Sequence, residues 1–188
     1  MNIIILQHIK IEDPGYIKDL MLADGLNLTT IELDEGEKIP NDLSKFDGMF
    51  CMGGPMDTYM EKEYPWLIEE KKRIKEFVVD LKKPYLGFCL GCQLLGEVIG
   101  GNVVKSSPAE IGMMNINFTE EKNQDSLFSK FPDEIKSLQW HSYEVQGIEN
   151  NKDVTLLASS PVTKYQIFKY KNHAYGIQFH IEIKDTTV

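Results

Sequence analysis

The segment Tyr85-Leu86-Gly87-Phe88-Cys89-Leu90-Gly91-Cys92-Gln93 constrains this chain more than any other stretch. An apolar run with strand character enters Gly-x-Cys-x-Gly and leaves straight into a helical pattern, Leu90 to Ile99, closed by Gly100-Gly101. This is the cysteine form of a nucleophile elbow, a sharp turn from strand to helix. Such a turn forces its apical residue into sparsely populated backbone angles and needs glycines where side chains would clash across it. The helix N-terminus stabilises a thiolate at Cys89, and the N–H of Leu90 would face an oxyanion formed there.

The surrounding pattern predicts the sheet that such a turn requires. Ile3–Leu6 is a continuous β-branched and aliphatic run, the mark of a strand buried on both faces. A helix over Tyr16–Ala23, a strand over Leu28–Leu33 and a short strand over Met49–Met52 follow. Pro65 opens a helix reaching Leu81, with Leu67, Ile74, Phe77, Val78 and Leu81 on one stripe and charged residues opposite. Alternation of strands and helices up to Gly101 predicts a doubly wound, mostly parallel α/β sheet. Beyond Gly101 the pattern is strand after strand: Asn102–Lys105, Met113–Phe118, Leu138–His141, Val154–Ala158, then Tyr165–Tyr170 and His173–Phe179 as a hairpin. Antiparallel strands are therefore expected in the C-terminal half, with Thr119–Asp125 a solvated connection.

Charge excludes several functions. Twenty basic residues against 29 acidic ones leave a net charge of −9. A nucleic-acid binder needs a basic footprint to displace counterions from phosphates, and membrane-surface attachment is disfavoured for the same reason. No apolar run approaches the roughly 20 residues of a membrane span. Three cysteines make no closed disulfide framework, so a reducing, cytoplasmic setting is expected. The N-terminal MNIIILQHIK reads as a first strand rather than a signal peptide.

Further chemistry sits where the strands end. Gly53-Gly54-Pro55 follows a buried strand on the side where open sheets bind ligands, and glycines there let main-chain N–H groups approach a substrate oxygen. A thiol nucleophile needs a base, and the base an orienting carboxylate. His180-Ile181-Glu182 offers both, since residues two apart on extended chain face the same way. His141, at a strand end in Trp140-His141-Ser142-Tyr143, is open between packing and substrate contact. His8 is placed for rim contact with Glu12 nearby, His173 reads as solvated, and Cys51 as a buried structural thiol. Cys89-x-x-Cys92 also matches a thioredoxin-like redox pair, though a redox pair has no need of Gly87.

Together these motifs resemble a class I, triad-type glutamine amidotransferase, most closely the stand-alone, GMP-synthase-like members. The resemblance spans nearly the whole chain: Gln7-His8 with Glu12, Pro14 and Gly15; Asp47-Gly48; Gly53-Gly54-Pro55-Met56; Tyr64-Pro65-Trp66-Leu67; Gly87 to Gln93; Glu110-Ile111-Gly112; Trp140-His141-Ser142; and Gln178 to Glu182. It implies a flavodoxin-like fold and a single glutamine amidotransferase domain over residues 1–188. It implies Cys89 as nucleophile, His180 as base and acid, and Glu182 as orienter. The N–H groups of Gly54 and Leu90 are the implied oxyanion hole, and Gly53, Gln93, His141, Ser142 and Tyr143 the implied substrate contacts. L-glutamine or another γ-glutamyl compound is the implied substrate, a separate synthetase or other acceptor the implied partner, and no metal or organic cofactor is needed. Two departures stand out. Ile181 replaces the family's usual Pro between His and Glu, and the chain stops six residues after Glu182, where relatives run on, so either a short member or a missing C-terminal extension is expected. Three rival readings remain at this stage: hydrolysis of a different γ-glutamyl amide or peptide, a non-catalytic regulatory module on the same scaffold, and redox chemistry.

Overall fold

In the computed structural model, which describes residues 1–184, nine strands form one sheet. They are β1 (Asn2–Gln7), β2 (Asn27–Glu32), β3 (Gly48–Cys51), β4 (Tyr85–Phe88), β5 (Asn102–Phe118), β6 (Glu134–Gln146), β7 (Val154–Ser159), β8 (Ile167–Tyr170) and β9 (Ala174–Ile177). The order is β2-β1-β3-β4-β9-β8-β7-β5-β6. The first five are mutually parallel, and every pairing from β9–β8 onward is antiparallel.

Side-chain alternation along β1 explains the two-sided packing, because successive residues point to opposite faces. Ile4 and Leu6 join one core with Leu67 and Ile74 of α2 (Trp66–Lys75) and with Leu94 and Leu95 of α3 (Leu90–Val98). Ile3 and Ile5 join the other with Met21 of α1 (Gly15–Ala23), Phe128 and Ile177. Helices on both faces of a mainly parallel sheet are the doubly wound arrangement that the sequence predicts.

Several expectations are corrected. The helix from Pro65 changes pitch at Glu76–Asp80, a π-helical turn in which Leu81 N–H bonds Glu76 O at 2.8 Å. The segments Asn102–Lys105 and Met113–Phe118 are one strand, interrupted by a register shift between Lys105 and Glu110 opposite β6. β6 is likewise far longer than Leu138–His141. Thr119–Asp125 is not simply solvated: Glu120–Gln124 forms a 3₁₀ turn with Lys122 buried, and Asp125 is buried beneath it. Asp125 accepts from Lys169 Nζ at 2.6 Å, Tyr175 Oη at 3.1 Å and the Leu127 N–H at 2.9 Å. Partners that distant in sequence neutralise its desolvation cost, which is why a locally polar segment goes inside. His173 is half-buried and donates from Nε2 to Val78 O at 2.9 Å.

Candidate active site

Cys89 is the hinge between β4 and α3, with φ 47° and ψ −103°. Strain of that kind costs on the order of 1–3 kcal/mol in a residue other than glycine. The neighbouring glycines allow the turn to close. A Cβ on Gly87 would lie 2.4 Å from Gly91 O, across the turn, and one on Gly91 would lie 2.2 Å from Cys51 O on β3. The Gly91 N–H bonds Met52 O at 3.1 Å, and Tyr85 Oη donates to Gly91 O at 2.8 Å, so the start of α3 is pinned to its neighbours.

β4 pairs with β9, Phe88 opposite Ile177, and both strands run the same way. The residues following each strand therefore emerge at the same sheet edge. Cys89 N–H bonds Ile177 O at 2.9 Å, and three residues further along His180 lines the same cavity as Cys89. Across the ring, His180 Nδ1 lies 2.7 Å from Glu182 Oε1, and Glu182 Oε2 accepts the Ile181 N–H at 2.9 Å. Burial alone would depress the pKa of His180; Cys89 and Glu182 outweigh it and push it up to about 11. Leu138 O accepts the His180 N–H, and Ser137 Oγ donates to His180 O, so β6 fixes this segment from the other side.

Two cavities meet at Cys89. One, of about 190 Å³, is walled by Gly54, Leu90, Gln93, His141, Ser142 and Tyr143. Among the described residues, neither the Gly54 nor the Leu90 N–H is paired with a protein acceptor. Gln93 Nε2 donates to Tyr143 O at 3.1 Å and Gln178 Oε1 at 3.2 Å, bracing this wall. His141 is buried, with Nδ1 donating to Tyr143 O at 2.9 Å and Nε2 3.3 Å from Glu110 Oε2; burial lowers its pKa against the pull of Glu110. Gly53 stands behind this wall: a Cβ there would collide with Glu12 Oε2 at 2.0 Å and approach His180 Cε1 at 3.3 Å. The second cavity, of about 300 Å³, is lined mostly by apolar residues, among them Ile9, Ile11, Leu138 and Trp140, and includes Glu12 and His180.

Gln178, part of the C-terminal motif but given no role from sequence, joins this neighbourhood; its Nε2 is 3.8 Å from Cys89 Sγ. Its place two residues before His180 on the same extended chain was the available signal. His8 is not at a rim but wholly buried, beside Cys51 and Glu70. That trio holds its potential ligand atoms within 4.8 Å of one another, but His8 Nε2 and Glu70 Oε1 already engage each other there at 2.8 Å. All three cysteines are free thiols, and burial pushes the Cys92 thiol well above its ordinary pKa, which suits packing rather than exchange.

A model of the family described as glutamine amidotransferase class-I matches residues 17–188. The chain belongs to that family. It is 33% identical over 171 residues, 90% of its length and 81% of the relative's, to a glutamine-hydrolyzing GMP synthase subunit from Picrophilus torridus. The corresponding protein of Sulfolobus acidocaldarius is 31% identical over 171 residues, 90% of this chain and 83% of that one. The crystal structure of a glutamine amidotransferase from Thermotoga maritima superposes on all of this chain and 78% of its own, with a TM-score of 0.89 at 29% identity. The doubly wound sheet and its family are thus those implied by the motifs. No described helix is long and apolar enough to cross a membrane.

Proposed function

We propose that residues 1–188 act as one glutamine-hydrolysing domain, in which Cys89, His180 and Glu182 form the reacting triad. The observation that carries this reading is that His180, paired with Glu182 at 2.7 Å, shares a cavity with a thiol on a strained strand-to-helix turn. Next to it is a second cavity lined by Gly54 and Leu90, whose N–H groups have no protein acceptor among the described residues. The Cys89 thiolate adds to the side-chain carboxamide carbon of glutamine. The tetrahedral oxyanion is held by the Gly54 and Leu90 N–H groups. Removing one such donor costs roughly 10²–10³ in rate. The imidazolium of His180, oriented by Glu182, gives its proton to the departing nitrogen, and ammonia leaves. His180 then takes a proton from water, which attacks the γ-glutamyl thioester and releases glutamate. Gln93, Ser142 and Tyr143 contact the amino-acid end of the substrate, with His141 as a supporting wall. Kinship with glutamine-hydrolyzing GMP synthase subunits supports a separate synthetase as acceptor of the ammonia.

Purified protein given glutamine is expected to release glutamate, and Cys89→Ala to abolish it. Undiminished turnover by that variant rejects the triad. The cavity lined by His180 favours a second reading, because it opens beside the group proposed to protonate the leaving nitrogen and, at about 300 Å³, is far larger than ammonia. There the substrate is a γ-glutamyl amide with an apolar substituent on that nitrogen. A panel of such amides that turn over while glutamine does not would select it.

A further inference from the structure

We propose that His8 is a positioning residue that aims the Gly54 N–H at the reacting carbonyl, holding the Gly53 carbonyl through an imidazolium braced by Glu70. This rests on the reading of that N–H as an oxyanion donor.

The Gly53 C=O and the Gly54 N–H are two ends of one peptide unit, and in a planar trans peptide they point in opposite directions. Fixing the oxygen therefore fixes the hydrogen. Left alone, this unit would turn easily, because glycine on both sides permits dihedrals closed to other residues. His8 supplies the clamp. Its Nδ1 is 2.9 Å from Gly53 O, and since a carbonyl only accepts, Nδ1 carries the proton. Its Nε2 lies 2.8 Å from Glu70 Oε1 on α2. Both ring nitrogens donate, as an imidazolium does. The ring stacks on Trp66 at 5.5 Å with 19° between planes, a favourable seat for a cation. Cys51 Sγ also donates to Glu70 Oε1, at 3.4 Å. His8 crowds the second glycine as well: a Cβ on Gly54 would lie 2.8 Å from His8 Cβ. One fully buried side chain thus ties the end of β1, the turn after β3 and helix α2 around a single peptide.

Stability gives a weak reason for such a pair, since buried ion pairs are often replaceable by apolar residues without loss. Orientation gives a better one. A charge-assisted bond on the carbonyl also polarises the peptide, which makes its N–H a stronger donor.

The test exploits the two nitrogens separately. Asn places its amide nitrogen near the Nδ1 position, and Gln places its own near Nε2. His8→Gln is expected to keep Glu70, release Gly53 O and lower kcat by roughly 10²–10³, the loss typical of one oxyanion donor, with KM within about threefold. His8→Asn is expected to keep kcat within about tenfold of wild type. Alkylation of Cys89 by iodoacetamide, followed by mass spectrometry, builds no oxyanion and should proceed at wild-type rate in both. Parallel loss of alkylation and turnover, or wild-type turnover by His8→Gln, overturns the proposal. Should His8→Gln not fold, Glu70→Gln, which keeps the acceptor and removes the charge, is expected to lower kcat about three- to tenfold with alkylation unchanged; wild-type kcat overturns it. Both glutamine and γ-glutamyl p-nitroanilide serve as substrates, because either builds the same oxyanion. Wild-type protein that cleaves the anilide alone rejects glutamine as substrate and leaves His8 to be judged on the anilide. Cleavage of neither, with Cys89 still alkylated, rejects both readings.

Discussion

Gly91→Ala sets two opposite expectations against each other. Gly91 lies in the first turn of α3, where replacing glycine by alanine would on helix propensity alone stabilise by about 1 kcal/mol. Its new Cβ, however, would stand 2.2 Å from Cys51 O and 2.7 Å from Cys51 C, and both are backbone atoms. Ordinary contact begins near 3.4 Å, so helix and strand would have to part by about 1 Å. β3 cannot easily yield, because it is hydrogen-bonded to β1 on one side and β4 on the other. Overpacking of this sort costs about 3 kcal/mol, at the upper end of the usual range. The net loss of about 2 kcal/mol lowers Tm by roughly 4–8 °C in a chain of this size. Gly96→Ala in the same helix is the control: its Cβ would meet the Val145 methyls at 2.6 Å, a side chain that can turn aside, so the loss should be smaller. Thermal unfolding of the two variants beside wild type decides the matter. A Tm at or above wild type for Gly91→Ala, or a larger loss from Gly96→Ala, refutes the close-approach explanation.

Cys89→Gly should be more stable than Cys89→Ala by about 1 kcal/mol in urea unfolding, since only glycine adopts φ 47° without strain, and both should be inactive. The pKa of His180 is raised in the folded protein, so its stabilising contribution is complete below the unfolded value near 6.5 and fades as pH rises through about 11. The Tm gap between wild type and His180→Gln should accordingly be widest below about pH 6.5, narrow through neutrality and close as pH approaches 11. Asp125→Asn removes a buried carboxylate from Lys169, leaving that cation unmatched, and should cost about 3 kcal/mol at pH 7. Lys169 holds the Asp125 pKa below its ordinary value despite burial, so this cost should shrink only below about pH 4, where the unfolded carboxyl takes up its proton.

The parallel half of the sheet was legible because strands covered on both faces must be continuously apolar, as Ile3–Leu6 and Met49–Cys51 are. Cys89 was legible because its turn needs glycine at 87 and 91, and those needs are written within nine residues. The β5–β6 ribbon was not legible in full: Ile111 and Trp140 face each other across it and are both largely exposed, so hydropathy does not mark its extent. Nor was the fate of Lys122 and Asp125, whose burial depends on Asp133, Lys169 and Tyr175. His8 illustrates the same limit. Its neighbours in sequence suggested an accessible ring, whereas Glu70 and Trp66, some sixty positions away, decide that it is enclosed.

If Cys89 and His180 act as proposed, the adjacency of β4 and β9 dictates when this molecule can first work. The thiol leaves the ribosome about ninety residues ahead of the imidazole, and the two are joined only when a late segment slots between β4 and β8. On the proposed triad, nascent or half-assembled protein carries a cysteine with no proton donor, and glutamine hydrolysis would report completed assembly. The chain is divisible on the same logic. On that reading, fragments separated in the exposed turn near Asn150, between β6 and β7, would each be inert, and activity would return only when they reassociate.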